Sequence, residues 1–164
     1  MAGAVLEAPE GVLLVCNRRR DGSLDWSPPG GVIDAGEDVL TGLAREVQEE
    51  TGFVVTAWEG SPLYQVEIDA PDLDWHLVAS VHRAASYHGE LVVEDPDGIV
   101  VEAAFVDPAT CAHRLAGCAR WVREPLAEWL AERWGPDAAR GYAYDVRGTR
   151  REELAVERTS VASG

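Results

Sequence analysis
Three glutamates, Glu46, Glu49 and Glu50, stand at i, i+3 and i+4, with Arg45 directly before them and Glu37 eight residues upstream of that arginine. On a helix turning about 100° per residue the three carboxylates converge within roughly one turn. An i,i+4 pair of like charges costs an isolated helix roughly 0.2–0.5 kcal/mol, and more once water is withdrawn. A hard divalent cation reverses that sign. An all-oxygen donor set suits Mg2+ or Mn2+, and Mg2+ in particular is held by one or two carboxylates plus water and substrate phosphate. A solvated helix face accounts for a generic acidic helix equally well, and the glutamates alone favour that plainer reading.

The elements that must carry these residues follow from periodicity and turn chemistry. Leu40, Leu43, Ala44 and Val47 fall on one face of a helix expected over 39–51, with Gly52 as its C-terminal stop, so the glutamates occupy the stripe beside a buried face. Ala4 to Leu6 and Gly11 to Arg18 read as an opening β-hairpin, and residues 20–38, dense in Gly, Pro and Asp, as a shaped loop returning to a strand near Val32 and Ile33. Further strands are expected at Val54 to Trp58, Leu63 to Ile68, Trp75 to Ala85 and Val100 to Val106. Helices are expected at Ala109 to Leu115 and at Glu124 to Trp134, the latter with Pro125 in its first turn. Beyond Gly135 no apolar period stands out. The fold class is α/β, a mixed β-sheet sandwiched between α-helices.

The order of residues around the glutamates tips the balance between the two readings. Gly31, five residues, Glu37, seven residues, then Arg45-Glu46-Val47-Gln48-Glu49-Glu50-Thr51-Gly52-Phe53 resembles the Nudix box at every fixed position over 23 residues. Upstream, Trp26-Ser27-Pro28-Pro29-Gly30-Gly31 is similar to the family's approach to the box; downstream, Gly89-Glu90-Leu91 and Glu102 to Val106 resemble a later turn and strand. The resemblance covers residues 4–134, and only the box is highly specific. It implies a Nudix domain over 1–135, with 136–164 as a C-terminal extension, either flexible or interface-forming.

What the resemblance implies about chemistry is metal-dependent hydrolysis of a diphosphate linkage in a nucleoside-diphosphate-linked substrate or a nucleoside triphosphate. Glu46, Glu49 and Glu50 are then metal ligands, joined by the backbone carbonyl of Gly30, while Arg45 and Glu37 orient the carboxylates. Glu46 is one candidate base. Relatives also use a glutamate from a later loop, and here Gly98 falls near that place, leaving Asp97, Glu94 and Glu102 as substitutes. Pro62, Pro71 and Tyr64 are out of register with the substrate-subclass signals, so the substrate stays open.

Outside the box, Arg18, Arg19 and Arg20 suit bidentate phosphate binding, against the plainer reading of a solvated strand end. Trp26, Trp58, Trp75 and Tyr64 offer faces for a nucleobase, although core aromatics are commoner. His76 and His82 share a strand face and read as strand residues rather than ligands. Trp121, Trp129 and Trp134 read as packing and interface residues of the terminal helices, which leaves a homodimer open.

Composition closes off other classes. The chain of 164 residues carries 14 Lys and Arg against 29 Asp and Glu, a net charge of −15, whose mean field repels duplex nucleic acid and anionic membrane. The expected partner is a small-molecule nucleotide. Cys16, Cys111 and Cys118 have no disulfide or zinc spacing and read as buried thiols of a reducing, cytoplasmic compartment. No apolar run approaches the ~20 residues of a membrane span. Two rivals remain: a non-catalytic Nudix nucleotide-binding or regulatory module, against which the full Arg45, Glu46, Glu49 and Glu50 set argues, and an isoprenoid-diphosphate isomerase, for which the three cysteines supply no motif.

Overall fold
The computed structural model describes residues 1–150 and 153–159. Eleven strands and three α-helices are present among them, in the order β1 (Ala2–Val5), β2 (Glu7–Ala8), β3 (Gly11–Arg18), β4 (Leu24–Ser27), β5 (Gly30–Gly31), α1 (Val39–Thr51), β6 (Val54–Trp58), β7 (Tyr64–Ala70), β8 (Trp75–His88), β9 (Val100–Val106), α2 (Pro108–Leu115), α3 (Arg120–Glu132), β10 (Arg140–Arg147) and β11 (Ala155–Thr159). The α/β class expected from the sequence holds, with the strands shared between two sheets. One is mixed, in the order β11-β10-β7-β8-β1-β5 with β6 on the far half of β8; the other joins β2, β3, β4 and β9.

Alternation along the strands builds two cores. On β3, Leu13 joins Leu43, Val47 and Phe53 beneath α1, while Val12 and Leu14 join Tyr64, Ile68, Cys111, Leu126 and Trp129 beneath α2 and α3. β9 divides the same way, with Ala103 and Phe105 toward α1 and Ala104 and Val106 toward α2 and α3. Each fully buried aliphatic side chain of these clusters contributes roughly 1.5–3 kcal/mol, which fixes α1 firmly against strand residues on both sheets.

The opening hairpin differs from expectation. β1 leaves for the mixed sheet, where it runs parallel to β8 and antiparallel to β5, and the hairpin partner of β3 is the short β2. Leu6 lies between the two sheets, fully buried. The return strand is Gly30–Gly31 rather than Val32 and Ile33, and Val32 is exposed; β4, unforeseen within the loop, pairs with β3 from Val15 to Arg18. Gly30 permits this close pairing: its φ is 141°, and a side chain there would strike the backbone of Ala2 and Gly3.

Two further corrections lie toward the C-terminus. α3 starts at Arg120, so Pro125 sits inside it rather than in its first turn. The start carries no side-chain cap; Val122 and Arg123 donate to the Ala119 carbonyl instead, which is why no capping residue announces it. The stretch after Gly135 has a period of two: Tyr142, Tyr144 and Val146 are buried, and β10 runs parallel to β7 through six residue pairs. Trp134, just beyond α3, donates from its indole to the Leu63 carbonyl at 2.8 Å, guiding the chain into that position.

Candidate active site
α1 spans the residues the sequence predicts. Asp38 caps it by accepting from the Thr41 amide at 3.0 Å, and Gly52, at φ 77°, closes it with a bond from its amide to the Gln48 carbonyl. With Leu43 and Val47 buried, the stripe bearing Arg45, Glu46, Glu49 and Glu50 faces the Gly30–Gly31 strand and the loop before β9. Glu46 lies directly over Gly31, where any Cβ would collide with its carboxylate; Glu37 lies over Gly42 in the same way. The two glycines are therefore seats for two carboxylates.

Arg45 gathers three of them. Its Nη1 donates to Glu46 Oε1 at 2.9 Å and to Glu49 Oε2 at 3.1 Å, and its Nε and Nη2 donate to Glu37 at 3.4 and 3.2 Å. The bonds from Arg45 hold the Glu37 carboxyl below its ordinary range. Glu46 moves the other way: burial pushes its pKa up against the pull of Arg45, with Glu49 and Asp97 adding to the rise. Glu50 is the extreme case. Its Oε2 accepts from the Gly30 amide at 2.8 Å, yet burial, together with Glu46, Asp95 and Glu49, pushes its pKa up to about 8. Negative charge is in excess here, one arginine facing four carboxylates.

Among the described residues no three acidic, histidine or cysteine side chains stand close enough to form a ready-made metal cage. The donors suit a divalent ion in kind: oxygens only, mutually repelling, with a partly buried carboxylate whose ionisation a cation would favour. The Gly30 strand also borders a cavity of about 370 Å³ lined by Pro28, Ile68, Trp75, Leu77 and Trp121. That volume falls within the ~300–1,000 Å³ of small-molecule sites.

A family model described as the NUDIX domain matches residues 1–130. The chain belongs to the NUDIX family. It is similar to Nucleoside diphosphate-linked moiety X motif 6 of Xenopus laevis, 46% identical over 53 residues covering 32% of this chain and 24% of that protein. It is also similar to a MutT-like protein of Streptomyces ambofaciens, 42% identical over 65 residues, 40% of each chain. Among solved structures, a MutT NUDIX hydrolase of Burkholderia pseudomallei superimposes with a TM-score of 0.57 at 27% identity, covering 66% of this chain and 81% of that one. The chain spans less than two thirds of the length of the curated relatives it matches.

Within the Nudix box, Arg45 bonds Glu37, Glu46 and Glu49, while Glu50 is bonded separately to the Gly30 amide. The loop candidates separate. Asp97, exposed, acts electrostatically on Glu46. Glu102 lies across β3 from the box helix: it is paired opposite Cys16 and forms an ion pair with Arg114 of α2 at 3.6 Å. It is the even-numbered face of β9 that carries it there. Glu94 is exposed and is not among the main influences on Glu46 or Glu50.

Asp95, unremarked in the sequence, shapes the loop. Its Oδ2 accepts from the amides of Ile99 and Val100 at 2.7 and 2.8 Å and its Oδ1 from Asp97 at 3.2 Å, with Gly98 at φ 64°. The run Asp95-Pro96-Asp97-Gly98 is the signal for such a side-chain turn. Of the three consecutive arginines, Arg19 borders the cavity beside Gly30, and the exposed Arg18 and Arg20 are not among its lining residues. Trp26 lies under the Arg114 guanidinium, 3.9 Å from its ring centroid, so that face is already taken. Trp58 packs edge-on to the buried His82, and Tyr64 is core. Trp121, read as packing, lines the cavity with Trp75.

Proposed function
We propose that this chain is a divalent-metal-dependent diphosphohydrolase acting on a nucleoside triphosphate or a nucleoside-diphosphate-linked substrate. One observation carries the proposal: Arg45 holds Glu46 and Glu49 together while Glu50 is anchored on the amide of Gly30, a residue that also lines a ligand-sized cavity. Mg2+ or Mn2+ is the cation this donor set favours, with the Gly30 carbonyl as a backbone donor. When bound, such an ion lowers the pKa of water and neutralises charge on phosphate oxygens.

The chain's own residues do the rest. Arg45 and Glu37 hold the box carboxylates in place, and Glu50 is anchored by the Gly30 amide. Asp97, the loop carboxylate that acts on Glu46, takes the proton of the attacking water, and Glu46 is the alternative acceptor. Arg19 supplies the cation for substrate phosphates in a protein that is otherwise strongly acidic. The three free cysteines, whose thiols burial pushes up, fit the reducing conditions of a cytoplasm. None of the described helices is long and apolar enough to cross a membrane.

The test is a product screen of purified protein over nucleoside triphosphates, ADP-ribose, NADH, dinucleoside polyphosphates and nucleotide sugars, with Mg2+, with Mn2+ and with chelator. Turnover that requires the metal is the expected result. Nucleotide binding without turnover of any compound would replace the enzyme with a binding module.

A further inference from the structure
The connection from β8 to β9 has no regular structure, yet it is tied at both ends. Near its start the Val92 amide donates to the carbonyl of Thr51, the last residue of α1, at 2.9 Å; at its end the Ile99 carbonyl accepts from the amide of Arg18, the last residue of β3, at 2.8 Å. It therefore runs from the C-terminal end of the box helix to the end of β3. Between these ties the half-buried Asp95 organises the chain. Its Oδ2 takes the amides of Ile99 and Val100 and its Oδ1 that of Asp97, while its own backbone carbonyl accepts from the Gly98 amide at 3.0 Å. One carboxylate thus closes the loop onto the first residue of β9 and fixes the backbone of Asp97 within it. Among the described residues the Asp97 side chain makes no hydrogen bond or ion pair of its own, so the backbone that Asp95 holds is what brings it within electrostatic reach of Glu46.

We propose that Asp95 is a positioning residue for the hydrolysis: by clamping its turn it holds the Asp97 carboxylate at the box helix, so that the proton acceptor is in place before substrate arrives. This rests on the reading of Asp97 as the base. A loop left to sample many conformations would present that carboxylate only part of the time, and a misplacement of ~1 Å is enough to slow a reaction ~100-fold. Three amides converging on one carboxylate form charge-assisted bonds, stronger than those a neutral side chain accepts. The clamp is also separate from the box network, since none of its bonds reaches Arg45 or the glutamates of α1.

Three variants at saturating metal provide the test. Asp95→Ala removes all three side-chain bonds and is expected to lower kcat ~10-fold, short of the ~100-fold that a large misplacement costs, with KM and the metal concentration for half-maximal rate unchanged. Asp95→Asn keeps an oxygen for Ile99 and Val100 but carries no charge, and should recover most of the rate. A rate as low as that of Asp95→Ala would put the effect in the charge of Asp95 and overturn the clamp. Asp95→Ala combined with Asp97→Asn is expected to be no slower than Asp97→Asn alone, because the clamp acts through Asp97; losses that multiply, or native kcat in Asp95→Ala, overturn the proposal. Amide hydrogen exchange reads the clamp without turnover: Ile99 and Val100 should exchange faster in Asp95→Ala and at the native rate in Asp97→Asn, with an unchanged Tm showing that the fold stands. Unchanged exchange in Asp95→Ala overturns the clamp. Near-native kcat in Asp97→Asn overturns the base reading and the positioning role with it, as does a native protein without turnover, whereas a slow Asp97→Asn beside a native-like Asp95→Ala overturns the positioning role alone.

Discussion
Two clusters of arginine and glutamate in this molecule look alike in composition and differ in balance. Where α3 meets β10 and β11, Arg120 bonds Glu124, Arg158 bonds Glu128, and the hydroxyls of Tyr144 and Tyr142 donate to those same two glutamates. Burial would push the Glu124 pKa up, but the bonds from Arg120 and Tyr144 outweigh it and the pKa falls below its ordinary value. At the box helix one arginine serves Glu37, Glu46 and Glu49, Glu50 has only a backbone amide, and the Glu46 and Glu50 pKa values rise. A matched network holds elements together. An unmatched one costs stability, and that imbalance, rather than the number of carboxylates, is what the proposed metal would offset.

The largest expected effect is at the unmatched side. Glu50→Gln should reduce kcat by at least ~100-fold at saturating metal, the scale lost with a catalytic group, while the amide oxygen still accepts from Gly30 and the fold survives; near-normal rates would remove Glu50 from the site. The same variant tests the electrostatics. Because the folded-state pKa of Glu50 is raised from 4.5 to about 8, the proton is held more firmly in the folded chain. Its contribution is fully present below the unfolded value and lost as pH rises through the folded one. In the absence of metal, Tm of Glu50→Gln should therefore match the native protein near pH 4.5 and exceed it at pH 8. Excess Mg2+ should narrow that gap, and a gap independent of pH would contradict the assignment.

Next comes the base. Asp97→Asn should lower kcat by ~10- to 100-fold at saturating metal, toward the range of general-base catalysis, whereas Glu94→Gln and Glu102→Gln should stay within about twofold because neither is among the main influences on the box carboxylates. Equal rates in all three variants would transfer the proton to Glu46. Arg45→Lys should follow, with a ~10-fold loss and a higher metal concentration for half-maximal rate, since an ammonium cannot reach three carboxylates with the spacing of a guanidinium. An unchanged metal titration would reduce Arg45 to an ordinary surface ion pair. The smallest effect belongs to the matched cluster: Tyr144→Phe removes one bond to Glu124 and should cost about 1 kcal/mol of stability, measured in denaturant, with kcat unaltered.

Legibility in the sequence followed the range of the interactions. α1, its closing Gly52 and its acidic stripe were readable because helix geometry relates residues three and four apart, and the box pattern carries Glu37, Arg45 and the glutamates together. Gly31 was visible as a fixed position of the box, but its reason, and the reason for Gly42, lies in the carboxylates of Glu46 and Glu37 resting on them, which depends on contacts across a loop. Asp95 was within reach, since its turn is local. Arg19 and Trp121 were not: their common position depends on β3, β4 and the start of α3 converging, and nothing in three consecutive arginines singles out the middle one.

The sequence by itself determined the α1 register, the carboxylates it presents and the family, because these rest on one helix and a pattern of neighbouring residues. Only the tertiary structure decided where β1 goes, which face of β9 carries Glu102, and how β10, with Tyr142, Tyr144 and Val146, enters the sheet beside β7. Strand partners are chosen by which surfaces remain to be buried once the rest of the chain has folded, and a stretch such as 140–147 acquires its meaning from β7, more than seventy positions earlier.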